Sequence, residues 1–458
     1  MKLLRLLILS LVVLAASFCL ATQAWAFCGF YVAKADAKLY NKASQVAIAR
    51  NGDQTVITMA NDYQGEVKDF AIVVPVPVVV EQEQVTVSRA SIIERLDAFS
   101  APRLVEYFDP NPCEPVAYER VPLSAPAPRA RASGGVRGAD NSLGVTIERK
   151  FTVGEYDILV LSAKESGGLE TWLRQNGYKL PQGANQLLKP YIRQKMKFFV
   201  AKVNLDKFEQ SGFQNLRPIK MTYNSPRFML PIRLGMINAD QAQDLLVYVL
   251  TPSGQTEVTN YRTVKVPSDT EIPTFVKNEF ADFYTAMFKT AYTREGRNVA
   301  FLEYAWDMGN CDPCSADPLS REELKEAGVF WLDQTQPAVP APSRRRIMPR
   351  PWPQSSVFIT RLHVRYTRDK FPEDLMFQET QNREQFQGRY VLRHAFTGEM
   401  QCSAGKAYQR SLPQRFEQEA QTLARLTGWN IQDIRDKLPK LQANALPWWD
   451  WLWTTLHS

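Results

Sequence analysis

Two proline-, alanine- and arginine-rich stretches break the chain into blocks and limit how it can fold. The first, "RVPLSAPAPRARASGGVRGADNSLG", runs from Arg120 to Gly144, and the second, "QTQPAVPAPSRRRIMPRPWPQ", from Gln334 to Gln354. Neither has an apolar period, and neither can bury enough surface to offset the entropy of ordering it. Both are therefore expected to be disordered, so the folded mass has to come from 27–119, 145–333 and the residues from 355 onward. The run Ser343–Arg346, "SRRR", would suit an anionic lipid or polysaccharide, although a solvated loop is the simpler reading.

The N-terminus constrains the chain chemically. "MKLLRLLILSLVVLAASFCLATQAWA" places Lys2 and Arg5 before an apolar run from Leu6 to about Ala21 and ends on Ala24-Trp25-Ala26. This is the layout of a secretory signal peptide, residues 1–26, with cleavage expected after Ala26. The run falls short of the roughly 20 apolar residues that span a bilayer. Cleavage leaves 432 of the 458 residues, enough for about two or three domains. It also takes Lys2 and Arg5 from the formal net charge of +7. Much of the remaining excess sits in the two basic stretches, so no nucleic-acid-binding stripe is expected. No second apolar run reaches spanning length, so no transmembrane helix is expected in the mature chain.

Between the breaks the pattern is α+β, with β-rich lobes of mixed or antiparallel sheets, several packed helices and a small C-terminal helical segment. Residues 27–119 read as a β-rich lobe. "SQVAIAR", "QTVITMAN" and "VKDFAIVVPVPVVV" are short, β-branched runs bounded by "NGD" and "YQG" turns, and Asn51-Gly52 is a hairpin signal. Pro75 and Pro77 cannot donate ladder hydrogen bonds and belong at a sheet edge or past a strand end. Residues 145–333 form an α+β middle lobe. Its strands are "YDILVLS", "KFFVAKVN" and "RNVAFLEYAWD"; its helices are "GGLETWLRQNG", with Gly177 past the end, and the aromatic-faced "TFVKNEFADFYTAMFKTAY". Ser320-x-x-Glu323 is a capping box and Gly328 a stop. Residues 355–410 return to strands, and in "SVFITRLHVRYT" Phe358, Leu362, Val364 and Tyr366 alternate with Arg361, His363 and Arg365. A helical segment, 411–446, carries "PQRFEQEAQTLARLTG" and "NIQDIRDKLPK". A tryptophan-rich tail, 447–458, closes the chain.

Several longer motifs occur in order: "FCGFYVAKADAKLYNKASQV", "TMANDYQG", "APRLVEYFDPNPC", "CDPCSADPLS", "TRLHVRY", "FPEDLMFQET" and "FQGRYVLRH". Together they resemble an exported bacterial family catalogued as domain of unknown function 2330, over nearly the whole mature chain. The resemblance implies export and a shared fold. It brings no activity, cofactor or catalytic residue.

The mature chain has five cysteines: Cys28, Cys113, Cys311, Cys314 and Cys402. An oxidising envelope favours disulfides, and five cysteines allow at most two of them. Cys28 and Cys113 flank the first β-rich block, which favours that pairing. Cys311-Asp312-Pro313-Cys314 has the Cys-x-Pro-Cys shape of thioredoxin-like redox motifs. In those, a helix N-terminus lowers the first thiol's pKa. Here the capping box starts the next helix near Ser320, which leaves the pair in a loop, and Asp312 adds a negative charge that disfavours a thiolate. A structural disulfide is the leading reading, a redox pair the rival. No metal site is expected, because only His363, His394 and His457 are available and no second Cys-x-x-Cys exists.

His363 lies on the polar face of its strand between two arginines, which would lower its pKa, and reads as a surface or interface histidine; His394 reads the same way. Glu303 and Asp307 are an even number of positions apart on one strand and could face one way as an acid–base pair. "SGG" at Ser166–Gly168 opens a helix and gives a weak anion-site signal. No nucleophile elbow, phosphate loop or dinucleotide fingerprint is present, so no cofactor is expected. The tail "ALPWWDWLWTTLHS" carries Trp448, Trp449, Trp451 and Trp453, which would cover most of a helix. They are interface candidates for a membrane surface or an envelope partner; the alternative is a clasp folded back on the body.

These features point to an exported, periplasmic bacterial envelope protein with a non-enzymatic binding or structural role. The alternatives are a thiol–disulfide oxidoreductase using Cys311 and Cys314 and a hydrolase with paired carboxylates.

Overall fold

The computed structural model describes residues 30–33, 40–41, 44–60, 63–64, 70–114, 145–175, 184–211, 216–237, 242–310, 312, 316–333 and 357–439. The chain folds as α+β, and it divides into two compact units. Unit 1 is Met1–Ala101, Pro128–Lys265 and Glu295–Gln387; unit 2 is Pro102–Ala127, Val266–Arg294 and Gly388–Ser458. The units thus interleave along the chain, where the sequence reading has contiguous blocks. The reason is pairing between distant strands, which local composition does not encode.

Unit 1 holds a nine-stranded sheet. Its strands, numbered in chain order, are β1 (Ser44–Asn51), β2 (Gln54–Ala60), β3 (Val85–Val87), β4 (Ile219–Asn224), β5 (Gln243–Thr251), β6 (Arg262–Lys265), β7 (Val299–Asp307), β8 (Phe358–Tyr366) and β9 (Phe386–Gln387). They lie in the order β6-β7-β8-β5-β1-β2-β4-β3, with β9 against β7. The Asn51-Gly52 signal makes the β1–β2 hairpin: Asn51 pairs with Gln54, and Gly52 takes φ +60°, the left-handed conformation that such a turn needs. β5 pairs antiparallel with β8 and parallel with β1.

A five-stranded sheet, in the order Phe30–Ala33, Phe70–Val76, Lys197–Val203, Tyr156–Ala163, Val145–Val153, packs against the first. Between them Ile72, Val74, Ile158 and Phe199 meet Val46, Ile57, Val247 and Leu362. Its outer face carries Ala71, Val73, Leu161 and Val200, covered by helices Ser166–Gln175 and Ala184–Arg193. Burial on both faces explains the unbroken apolar run "FAIVVPV", which has no alternation to read. Pro75 lies opposite Phe198, and among the described residues the pairing with Phe30–Ala33 reaches only to Val73. Pro77 lies past the strand end, as its missing N–H requires.

The outer face of the nine-stranded sheet is covered by helix Ala90–Ser100 and by 319–333, through Ile92, Leu96, Phe99, Leu324 and Trp331. The second of these coverings contains the predicted capping box: Glu323 N–H donates to Ser320 Oγ at 3.2 Å, and Ser320 N–H donates to Glu323 Oε2 at 2.7 Å. Unit 1 is therefore four layers, helix, sheet, sheet, helix.

Unit 2 has a three-stranded sheet, Thr270–Glu271, Arg389–His394 and Arg103–Phe108, in which both pairings are parallel. Helix Phe280–Arg294 lays its predicted aromatic face on it, with the Phe283 ring 4.7 Å from that of Tyr390. A long helix, Ser403–Thr427, continues through Pro413. It thus begins nearly three turns before the "PQRF" start read from the sequence. Helix Ile431–Asp436 follows, capped by Asn430. Among the described residues, no helix is long and apolar enough to cross a membrane.

Candidate functional site

A buried group of charges in unit 1 lies on the outer face of the nine-stranded sheet. On β8 the even residues Phe358, Leu362, Val364 and Tyr366 enter the core between the sheets, as their alternation predicts. Arg361, His363 and Arg365 occupy the opposite face, which is a second buried layer beneath helix Ala90–Ser100. Arg361 lies opposite Tyr248, and Arg365 opposite Asp244, on β5.

On the other flank the β7–β8 register slips by one residue. Leu302 faces Leu362, Tyr304 faces Arg361, and the slip falls at Glu303 between them. Such a bulge turns two consecutive side chains to one face. Tyr304 and the fully buried Glu303 therefore turn to the same face, where Glu303 reaches the β8 charges. Glu303 Oε2 accepts from Arg361 Nε at 2.6 Å, and Glu303 Oε1 lies 2.7 Å from His363 Nδ1. His363 Nε2 is 3.1 Å from Asp244 Oδ1, and Arg365 donates to both Asp244 oxygens at 2.7 Å. Helix Ala90–Ser100 contributes Asp97, whose Oδ1 accepts from Arg361 Nη1 and Tyr248 Oη, each at 2.7 Å. Gln45 donates to the Tyr248 hydroxyl at 3.0 Å.

The chemistry of this group follows from its donors. Ionised carboxylates only accept hydrogen bonds, so both nitrogens of His363 must donate and the ring is an imidazolium. Burial opposes that charge, but Glu303 and Asp244 outweigh it and raise the His363 pKa to about 9. Burial likewise opposes ionisation of Asp244, yet hydrogen bonds from His363 and Arg365 hold its pKa down to about 2. Burial pushes the Tyr248 phenol well above its ordinary value, against the pull of Arg361. Three carboxylates, two guanidiniums and one imidazolium sum to zero. A general base needs a free ring nitrogen, and His363 has both engaged, so the cluster is suited to holding strands and helix together rather than moving protons.

This corrects two expectations. His363 is not a surface histidine, for its side chain is 12% exposed. Its pKa rises rather than falls, because the nearest charges in space are carboxylates from β5 and β7, not its neighbours along the strand. Glu303 and Asp307 do not share a face. After the slip Asp307 lies opposite Phe358, on the other side of the sheet, where it pairs with Arg383. Asp97, Asp244 and Tyr248 escaped the sequence reading altogether, because only the β5–β8 register and the helix placement bring them to Arg361.

Cys113 is bonded to Cys402, with Cα atoms 5.8 Å apart across 289 positions of sequence. This overturns the favoured Cys28–Cys113 pairing: the loop after strand Arg103–Phe108 meets the start of the long helix within unit 2. Cys28, Cys311, Cys314, Trp448, Trp449, Trp451 and Trp453 lie outside the described residues, as do both basic stretches, Gly177 and the N-terminal 26 residues. Asp312, which follows Cys311 in the sequence, accepts from Tyr304 Oη and Gln387 Nε2, both at 2.9 Å. The "SGG" helix start is occupied by its own neighbours, since Ser166 Oγ donates to Asn185, which donates in turn to Glu170. His394, in unit 2, pairs with Glu106 at 2.8 Å and stacks on Phe108. Among the described residues no group of three or more His, Cys, Asp and Glu side chains is arranged to hold a metal ion.

Residues 22–378 match the model of a bacterial family, an uncharacterised conserved protein known as domain of unknown function 2330. The chain belongs to this family over more than three quarters of its length. The match contains every residue of the β5–β7–β8 cluster and ends before "FQGRYVLRH", so the resemblance read from that last motif lies beyond it. No curated protein and no solved structure matches the chain significantly.

Proposed function

We propose that this member of the family is exported to the bacterial envelope, most simply the periplasm, and works there as a non-enzymatic binding or structural protein. The observation that carries the reading is the Cys113–Cys402 bond, which ties two distant segments of unit 2. Such a bond persists in an oxidising compartment and is reduced in the cytosol. The signal-peptide layout of residues 1–26 supports the same placement. The non-enzymatic part rests on the His363 cluster, in which each ring nitrogen is already bonded. The tryptophan-rich tail is the proposed contact with an envelope partner or membrane surface.

The alternative is a thiol–disulfide oxidoreductase using Cys311 and Cys314. Asp312, the residue after Cys311 in the sequence, is held by two side-chain hydrogen bonds. A fixed negative charge there disfavours the thiolate that exchange requires, so the structural bond is the better reading. The paired-carboxylate hydrolase loses its support with Glu303 and Asp307 on opposite faces.

Mass spectrometry of the protein from fractionated cells tests the placement. The expected species starts at Phe27, sits in the envelope fraction and contains a Cys113–Cys402 peptide. An intact N-terminus in the cytosol with free thiols overturns it.

A further inference from the structure

In unit 2 the buried stripe of helix Ser403–Thr427 runs through Leu412, Phe416, Ala420 and Leu423, and Glu419 lies among them, 4% exposed. Its Oε1 makes no hydrogen bond. Arg415, one turn earlier, comes within 3.4 Å of that oxygen without hydrogen-bond geometry, and its Nε and Nη2 are likewise unbonded. The cause is competition. Arg415 Nη1 is drawn to Asp109, which also accepts from the Tyr408 hydroxyl. On the sheet, Arg393 donates to Glu271 at 2.8 Å and lies 3.6 Å from Asp109. The group therefore holds three carboxylates against two guanidiniums. It is neutral only if one carboxyl is protonated, and Glu419 is the one with an unbonded, buried oxygen.

We propose that Glu419 is a proton-operated joint between the long helix and the three-stranded sheet: it carries a proton when the helix is docked, and losing that proton loosens the docking. Burial raises its pKa to about 7, with Glu271 and Asp109 adding to the rise and Arg415 and Arg393 opposing it. The other helices packed on the long one do not offset this charge. Helix Phe280–Arg294 buries Phe283, Met287, Phe288, Ala291 and Tyr292 and brings Thr290 to Thr427, while helix Ile431–Asp436 directs Arg435 to Glu417 at the surface. A carboxyl raised in the folded state strengthens docking below its ordinary value of 4.5, and that gain is lost as pH rises through about 7.

Amide exchange of residues 403–427, corrected for the intrinsic rate, tests the joint. Opening of the helix is expected to increase about tenfold between pH 6 and pH 8, and Glu419→Gln, which keeps the shape of the protonated group, should flatten the dependence. A flat wild-type profile, or an undiminished dependence in the variant, overturns the proposal. Should the variant not fold, infrared spectra of the wild-type chain with labelled glutamate decide. A protonated-carboxyl band lost with a midpoint near 7 supports the joint, and its absence at pH 6 overturns it.

Discussion

The charge clusters of the two units have similar inventories and opposite finish. Asp97, Asp244 and Glu303 face Arg361 and Arg365 in unit 1; Asp109, Glu271 and Glu419 face Arg393 and Arg415 in unit 2. The first adds an imidazole, and its fractional accounting closes: every ring nitrogen and both Asp244 oxygens are bonded. The second has no such group, and Glu419 Oε1 is left over. Geometry underlies the difference. Adjacent β-strands repeat in step, so rows of side chains from β5, β7 and β8 align, and one bulge suffices to bring Glu303 between two cations. Where a helix crosses strands, a period of 3.6 meets a period of two, and donors and acceptors do not all meet.

Arg361 offers the hardest test of this contrast. Arg361→Met leaves Glu303 and Asp97 without their guanidinium in a buried site, for which about 3–5 kcal/mol of lost stability is expected. Amide exchange on β8 reads it, and a loss under about 1 kcal/mol would show that the cluster carries little of unit 1. The next test uses pH. The His363 pKa is raised, so its contribution is complete below the ordinary value of 6.5 and disappears as pH climbs through about 9. The full effect is roughly 3 kcal/mol. Unit 1 should hold its stability to about neutral pH and lose it on the alkaline side, while unit 2 weakens earlier, around Glu419. His363→Gln should remove the alkaline leg; a leg that survives the substitution assigns it elsewhere. The smallest effect is expected at the surface. The Glu417 carboxyl, bonded to Arg435 and Gln421, has its pKa held down to about 2, yet the pair is open to solvent and screened. Glu417→Gln should leave exchange across the long helix unchanged; a measurable loss would show that this pair, and not Glu419, fastens the helix.

Local features of the fold were legible. The Asn51-Gly52 turn, the Ser320–Glu323 capping box and the alternation along β8 each depend on residues within a few positions of one another, and each formed as read. The candidate site was legible only in half. The row Arg361, His363, Arg365 is visible in "TRLHVRY", and the inference that it faces solvent failed because helix Ala90–Ser100 covers it. The bulge at Glu303 left no local mark, since an unslipped ladder would serve the same string "AFLEYAWD". The disulfide failed for a related reason: proximity along the chain favoured Cys28, whereas Cys113 meets Cys402 through the parallel pairing of strands Arg103–Phe108 and Arg389–His394.

Chain chemistry alone therefore determined where most strands and helices form and which apolar side chains enter the core, because these follow from torsional preference and the spacing of apolar groups. Which strand lies beside which, and so which acid meets which base, was decided only in the folded molecule. A carboxylate's field acts through a few ångströms of space, and residues such as Asp244 and His363 come within that range only when β5 and β8 pair across more than a hundred residues of chain.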